Sequence, residues 1–475
     1  MKQIRHRTGA VTEMEQTTAK KNKYEIDMCN GTIMDKLISF SLPLMLSGIL
    51  QLMFNAVDII VVGRFSGSQA LAAVGSTSAL INVFTNLFIG ISLGANVLTA
   101  RFYAAGREKE VSETVHTAIT LALVSGIVMA LVGLVFSKGA LALMGTPDDV
   151  IGLSALYMRI YFLGMPFFML YNYGAAILRA VGDTKRPLLF LMIAGVINAC
   201  LNMVLVIVFK LGVAGVAIAT VISQMISCVL VLRCLCRSES SYRLRFSELG
   251  MKGYYLKQIF SVGVPAGIQS TVINFSNVLL QSSVNSFGST AMAGYTAANN
   301  LLGFLYVSVN SITQACMSFT SQNYGVGKLK RMDRVLADCM ILSVVVAVVL
   351  GCICYGFGPE ILQIYTEDAE VIACGMEILA YTTITYFLCG WMDLFPGALR
   401  GMGYSAVPMV LSVIGTVGTR VVWIFGIFPY HRSLAILFIS YPASWIITIV
   451  LQIICFYFVR RRVHRRSQTL AGQEG

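Results

Sequence analysis

The sequence predicts an all-α integral membrane protein: twelve transmembrane helices in two six-helix lobes, related by a pseudo-two-fold axis along the membrane normal. Three observations lead there. Of 475 residues, 56% are hydrophobic and only 12% are charged, whereas water-soluble domains carry roughly 25% charged residues. The apolar residues fall in runs long enough to cross a bilayer, which takes about 20 residues each. Lastly, the chain aligns with itself at an offset of 221, pairing Gly67 with Gly288, Tyr103 with Tyr324, Lys109 with Lys330, Arg179 with Arg400, and Pro187 with Pro408. One offset serving anchors more than a hundred residues apart marks an internal repeat.

The elements follow in order. Residues 1–35 are polar and lack the apolar core of a cleaved signal, so the first apolar run stays as a membrane helix near 37–62. Runs near 70–100, 112–137, 149–178, 187–209 and 212–236 complete the first lobe, 36–236. The basic stretch 237–255 then links the lobes. Helices near 256–286, 290–322, 334–357, 370–398, 407–428 and 433–459 make the second lobe, 256–460, and a basic tail, 461–475, follows. Each lobe has an even number of spans, so both enter from the same side.

Orientation follows from Lys and Arg, which keep short loops cytoplasmic. With both termini on one side, that side collects 29 of the 35 Lys and Arg residues, Arg400 among them, and the other collects four. The termini are expected to be cytoplasmic. The net charge of +12 then reflects topology and contact with anionic lipid headgroups, and calls for no nucleic-acid partner.

Parallel six-helix halves are an architecture of alternating access, which makes transport the leading function. The GxxxxGK[ST] phosphate loop is absent, so energy must come from an ion gradient or from the substrate's own gradient. The twelve cysteines sit mostly singly in apolar runs. Cys234 and Cys236 lie close together but have no second pair or histidine to complete a zinc site. His116 is expected to stand alone, and no catalytic constellation is present, which argues against an enzyme.

Ionisable residues within spans are default functional candidates, here Asp58, Arg159, Glu377, Asp393 and Arg420. Asp58 falls roughly 7 Å below the outer interface at 1.5 Å rise per residue. Asn198 and Asn202, four apart, share a face of the fifth helix, and Thr220 on the sixth reaches a depth like that of Asn202. Such an oxygen cluster would hold Na⁺ or a proton. The competing reading is a hydrated Asp58 with asparagines that bond neighbouring helices. Leu279 at the repeat position of Asp58 favours the functional reading. Asp393 would attract a cationic substrate, pair with an arginine, or cap a helix break at Pro396. Arg420 would serve as its counter-ion or meet an anionic substrate. Arg159 and Glu377 fall where long side chains snorkel. Tyr171, Asn172 and Tyr173 are candidates for a cavity wall, with Gln269, Asn274, Asn277, Asn299 and Asn300 lining the second lobe. Pro43 and Pro265 are candidate bends.

The runs LPLMLSGILQLMFNAVDIIVVGRF, AAILRAVGDTKRP, PGALRGMGYSAVP and GVAGVAIATVISQ resemble the multidrug and toxic compound extrusion (MATE) family, in its bacterial DinF-like branch, over about residues 35–460. The resemblance implies a V of two lobes in the bacterial plasma membrane, exchanging cationic or amphipathic small molecules outward for inward H⁺ or Na⁺, with no cofactor and as a monomer. It maps the family's ion site onto Asp58, Asn198, Asn202 and Thr220. Family members often carry aspartate where this chain has Asn202, which leaves one carboxylate and either ion open. A related alternative is a flippase of lipid-linked saccharide precursors, but its cavity would need several deep cations, and Arg420 is the only deep one here.

Overall fold

The computed structural model describes residues 24–471. Every regular element among them is helical, and apart from two short pieces, Phe246–Glu248 and Gly358–Gln363, they form twelve rods. In the first lobe these are α1 Met34–Phe65, α2 Ser68–Ala104, α3 Glu108–Leu143, α4 in two segments (Asp148–Leu163 and Met165–Ala180), α5 Lys185–Met203 with a π-helical turn Val204–Val208, and α6 Gly212–Cys236. In the second lobe these are α7 Gly253–Asn285, α8 Ser289–Gly325, α9 Leu329–Gly356, α10 in two segments (Ala369–Thr382 and Tyr386–Gly401), α11 spanning Ala406–Ile427 with π-helical turns, and α12 Leu434–Ala471. Length and composition alone suffice for a membrane crossing in ten of these rods, counting each bent pair as one. The other two, α7 and α8, carry the asparagines and glutamines that the sequence assigns to the second lobe's lining.

Several expectations are corrected. The fourth and tenth helices are each broken, by 47° and 51°. The first break falls at Gly164, just before Pro166, where a missing side chain and a missing N–H weaken the helix. The second falls at the equivalent place without either residue, at Thr383–Thr385. Pro396, expected at a break, sits within continuous helix. The last helix extends well beyond 459, and Arg460 pairs with Asp333 of α9 at 2.6 Å. Of the 1–35 tail, residues 1–23 lie outside the described residues, as do 472–475 at the other end. The linker, expected over 237–255, ends at residue 252 because α7 already begins at Gly253, and it holds one short helical turn, Phe246–Glu248.

The two largest apolar cores match the two lobes, but the opening turns of their first helices are exchanged. The opening turns of α1, with Leu37, Phe40 and Leu44, pack into the second lobe's core, and Phe40 meets Phe319 edge-on at 5.6 Å. Reciprocally, Tyr255 and Ile259 at the start of α7 belong to the first lobe's core. These crossings lie at the face where α1 begins and α12 ends, termed the terminal face below.

At that face the lobes are in contact. A Cβ on Gly90 of α2 would stand 2.3 Å from the Cα of Gly267 on α7, and one on Gly94 would stand 2.1 Å from the carbonyl oxygen of Ile259. Only glycine lets two helices approach this closely. Polar bonds cross between the lobes here as well: Ser318 donates to Asn96 at 3.1 Å, Ser321 to the Val97 carbonyl at 2.6 Å, and Gln322 to the Ala180 carbonyl at 2.7 Å. All of them fall in the terminal-face halves of their helices.

Candidate functional site

Near the far end of the first lobe, α1, α5 and α6 converge on Asp58. Phe54 and Asp58 are four apart and share a face of α1, while Gly195, Asn198 and Asn202 share a face of α5. Gly195 gives the Phe54 ring room against the α5 backbone, and this close approach brings the two polar faces together. Asp58 lies seven residues before the end of α1, about 10 Å deep at the helical rise, deeper than expected because the helix runs on to Phe65.

Asp58 is 8% exposed, Asn198 4% and Asn202 not at all. The Asn202 amide donates to the Asp58 carboxylate and, at 3.2 Å, to the Asn198 side-chain oxygen. Thr220 Oγ1 lies 3.5 Å from the second carboxylate oxygen and 2.9 Å from the Val216 carbonyl. Its single proton serves the nearer carbonyl best, which leaves its lone pairs free to face a cation. The Asn202 Oδ1 is buried without a hydrogen-bond partner. A buried orphan acceptor is costly. Beside a carboxylate with no ion-pair partner among the described residues, it suits a small cation or a proton on Asp58. All four residues singled out from the sequence therefore meet in space.

Two residues that the sequence reading missed adjoin this cluster. Tyr157 and Tyr161, one turn apart on the first segment of α4 and stacked at 6.1 Å, feel the field of Asp58. Their four-residue spacing was the available signal.

The cavity candidates divide. Tyr171 is buried and donates to the Pro187 carbonyl at 3.1 Å, and Tyr173 is fully buried, so neither lines a cavity. The half-buried Asn172 gives its amide to the Phe168 carbonyl. Gln269 is buried and accepts from Arg400 at 2.7 Å. This also corrects Arg400, counted above with the loop cations but in fact buried within the second lobe. Asn274 and Asn300 are exposed, and Asp393, like Asn277 and Asn299, is half-buried. The charge of Arg400 acts on Asp393, and no cation stands within ion-pair distance of it among the described residues.

Arg420 is neither counter-ion nor free. Only 3% exposed, it donates from Nη1 to Ser276 and to Asn277, each at 2.7 Å, and lies over the Tyr441 ring at 4.7 Å. At the 221 offset Tyr441 is the repeat partner of Thr220, and Trp423 that of Asn202. The second lobe thus carries a built-in guanidinium near the place where the first lobe gathers a carboxylate and oxygens. Arg159 is exposed and Glu377 half-buried. His116 is not alone: its Nδ1 meets the Ser112 carbonyl at 2.7 Å and its Nε2 accepts from the Arg245 amide at 3.0 Å.

The sequence model of the MatE family matches residues 43–204 and again 265–425, so it finds the repeat twice. The chain is 32% identical over 434 residues to the Probable multidrug resistance protein YoeA of Bacillus subtilis (strain 168), covering 89% of this chain and 93% of that protein. It is 22% identical to the Multidrug export protein MepA of Staphylococcus aureus (strain NCTC 8325 / PS 47), over 80% and 84% of the two chains. Among solved structures it resembles "Outward-facing conformation of a multidrug resistance MATE family transporter of the MOP superfamily", with a TM-score of 0.85 at 19% identity, covering 94% of this chain and all of that one. It also resembles "Crystal structure of MATE in the bent conformation", with a TM-score of 0.83 at 20% identity. The structures carry the fold, two lobes of six helices, and the doubled sequence match carries the kinship: this chain belongs to the MatE family of multidrug efflux transporters.

Proposed function

We propose that this protein exports cationic or amphipathic small molecules across the bacterial plasma membrane by alternating access, in exchange for inward H⁺ or Na⁺, with Asp58 as the switching carboxylate. The observation that carries the reading is the buried Asp58 carboxylate, with no ion-pair partner among the described residues, beside the unpartnered Asn202 oxygen and the Thr220 hydroxyl. A charge in such a place is costly unless a cation joins it. The ion therefore binds most tightly when the site is closed, and its loading biases the lobes between states.

In this reading the terminal face is cytoplasmic, as the Lys and Arg distribution supports, and the contacts there shut the protein toward the cytoplasm. Half-buried Asp393 would meet cationic substrate between the lobes, with the exposed Asn274 and Asn300 as further contacts and lipids around the bundle. No bond of substrate is made or broken, so the protein is a transporter and not an enzyme, and it needs no cofactor beyond the ion. The flippase alternative loses its deep cation, because Arg420 is already engaged by Ser276, Asn277 and Tyr441.

The test is efflux of a fluorescent lipophilic cation from cells, with the Na⁺ and H⁺ gradients collapsed separately, for wild type and Asp58→Asn. Loss on collapsing one gradient, together with loss in a variant that still inserts and folds, is expected and names the ion. Unaltered efflux in Asp58→Asn overturns the assignment.

A further inference from the structure

Residues 24–31, before α1, run between the lobes at the terminal face and are bonded to both. On the first lobe's side, Glu25 accepts from Tyr103 of α2 and from Tyr242 of the linker, one phenol to each carboxylate oxygen and both at 2.7 Å. The Ile26 amide donates to the Gly182 carbonyl at 3.3 Å. Gly182 has φ +98°, and a Cβ there would stand 2.5 Å from the Ile26 oxygen, so only glycine admits this passage.

The second lobe's grip is stronger. Arg331 of α9 donates to the carbonyls of Met28, Asn30 and Gly31 at 3.2, 3.1 and 2.8 Å. Lys328 donates to the Cys29 carbonyl at 3.0 Å and to the Asn30 side chain at 2.7 Å, and Asn323 donates to the Met28 carbonyl at 3.1 Å. Met28 is fully buried in the second lobe's core.

We propose that Glu25, Lys328 and Arg331 are gating residues of the transport cycle, holding residues 24–31 as a strap across both lobes that keeps the terminal face shut. This rests on the alternating-access reading above. When the lobes part at this face, one set of bonds must break, since a hydrogen bond is lost beyond about 3.5 Å. Charged donors and a buried methionine hold the strap to the second lobe, so the weaker side, Glu25 with its two phenols, the long Ile26–Gly182 bond and Arg186 over the Tyr24 ring at 5.5 Å, is the one that lets go. The strap continues directly into α1, whose first turns sit in the second lobe's core and whose far end carries Asp58. One helix therefore joins the ion site to the latch, and ion loading at Asp58 has a covalent route to the opposite gate.

The experiment measures the distance between spin labels at positions 109 and 330, which are repeat-related and exposed at the terminal-face ends of α3 and α9. The labels are introduced through a keto amino acid, leaving the twelve native thiols untouched. Full-length protein in nanodiscs is compared as wild type, Glu25→Ala, Glu25→Asp, Tyr103→Phe/Tyr242→Phe, and the combined triple variant. Glu25→Ala and the double phenylalanine variant are each expected to raise the long-distance population at least about tenfold, the worth of a single hydrogen bond to a charged group. The triple variant should add nothing further, and Glu25→Asp should recover part of the closed population. A purely structural role for Glu25 would lower stability and leave the distances alone. The proposal is overturned if the Glu25→Ala distribution matches wild type while the wild type itself responds to tetraphenylphosphonium, pH or Na⁺. A wild-type distribution indifferent to all three removes the alternating-access reading, and the latch with it.

Discussion

The ring of Phe54 on α1 lies directly against Gly195 of α5, where an added Cβ would fall 1.8 Å from two ring carbons. No rotation of a single methyl relieves such a contact, so Gly195→Ala must push the helices apart or drive Phe54 out of its rotamer. Overpacking of this kind costs about 1–3 kcal/mol. Asn198 and Asn202 would retreat from Asp58 with the helix. The expected outcome is a lower melting temperature and loss of gradient-driven efflux, with both recovered by adding Phe54→Leu. A silent Gly195→Ala would mean that the packing is looser than the contact implies.

Arg420 offers a second test, because its charge and its shape pull in opposite directions. Burying a charge is costly, whereas the guanidinium recovers energy from two hydrogen bonds and a stacked ring. Arg420→Lys keeps the charge and loses the planar fork and the stacking. Arg420→Met keeps the apolar stem and removes the charge, leaving Ser276 and Asn277 to find other partners. Thermal melts are expected to place Arg420→Lys below Arg420→Met. The reverse order would show that the positive charge itself holds the second lobe together.

Closure of the terminal face depends on Gly90 and Gly267, which meet backbone to backbone. Gly90→Val inserts three carbons where there is no room for one. Hydrogen exchange in the adjoining halves of α2 and α7 is expected to quicken, and efflux to fall, while membrane insertion is retained. Gly139→Ala, where a Cβ meets nothing within 4 Å, is the matched control and should change neither. Equal exchange in both variants would place the closing contact elsewhere.

Much of this molecule was legible in the sequence because a membrane imposes length and periodicity on each helix. The repeat offset, twelve rods and the Asp58 cluster all follow from spacing along regular helices, where depth is proportional to residue number. What spacing does not encode is direction of engagement. Gln269 and Arg420 read as cavity residues because polar side chains in apolar helices look alike. Their partners, Arg400 and the Ser276–Asn277–Tyr441 set, lie 131 residues away in the first case and on two other helices in the second. The break in α10 was hidden because neither glycine nor proline marks it. The exchange of the opening turns of α1 and α7 was hidden because lobe membership is a tertiary fact, indifferent to where the repeat begins.

Within the ion site the hydrogen bonds rank the residues. Asn202 touches both Asp58 and Asn198 and also holds the unpartnered oxygen, so Asn202→Leu removes a donor and an acceptor at once. Loss of such an orienting partner typically costs 10–100-fold in ion affinity, read as the ion concentration giving half-maximal efflux. Asn198→Ala should cost less, since Asn198 reaches Asp58 only through Asn202. Thr220→Val tests whether the hydroxyl is a donor to Asp58 or an acceptor toward the ion. Its proton is better placed on the Val216 carbonyl at 2.9 Å than on the carboxylate at 3.5 Å, so its contribution would be a lone pair. For Na⁺ that is a lost ligand, and Thr220→Val should weaken affinity nearly as much as Asn202→Leu. For H⁺ a lone pair at this distance contributes little, and Thr220→Val should stay close to wild type. The ratio of the two effects therefore discriminates between the ions independently of any gradient, and it must agree with the ion named by collapsing the gradients if Asp58 is where coupling occurs.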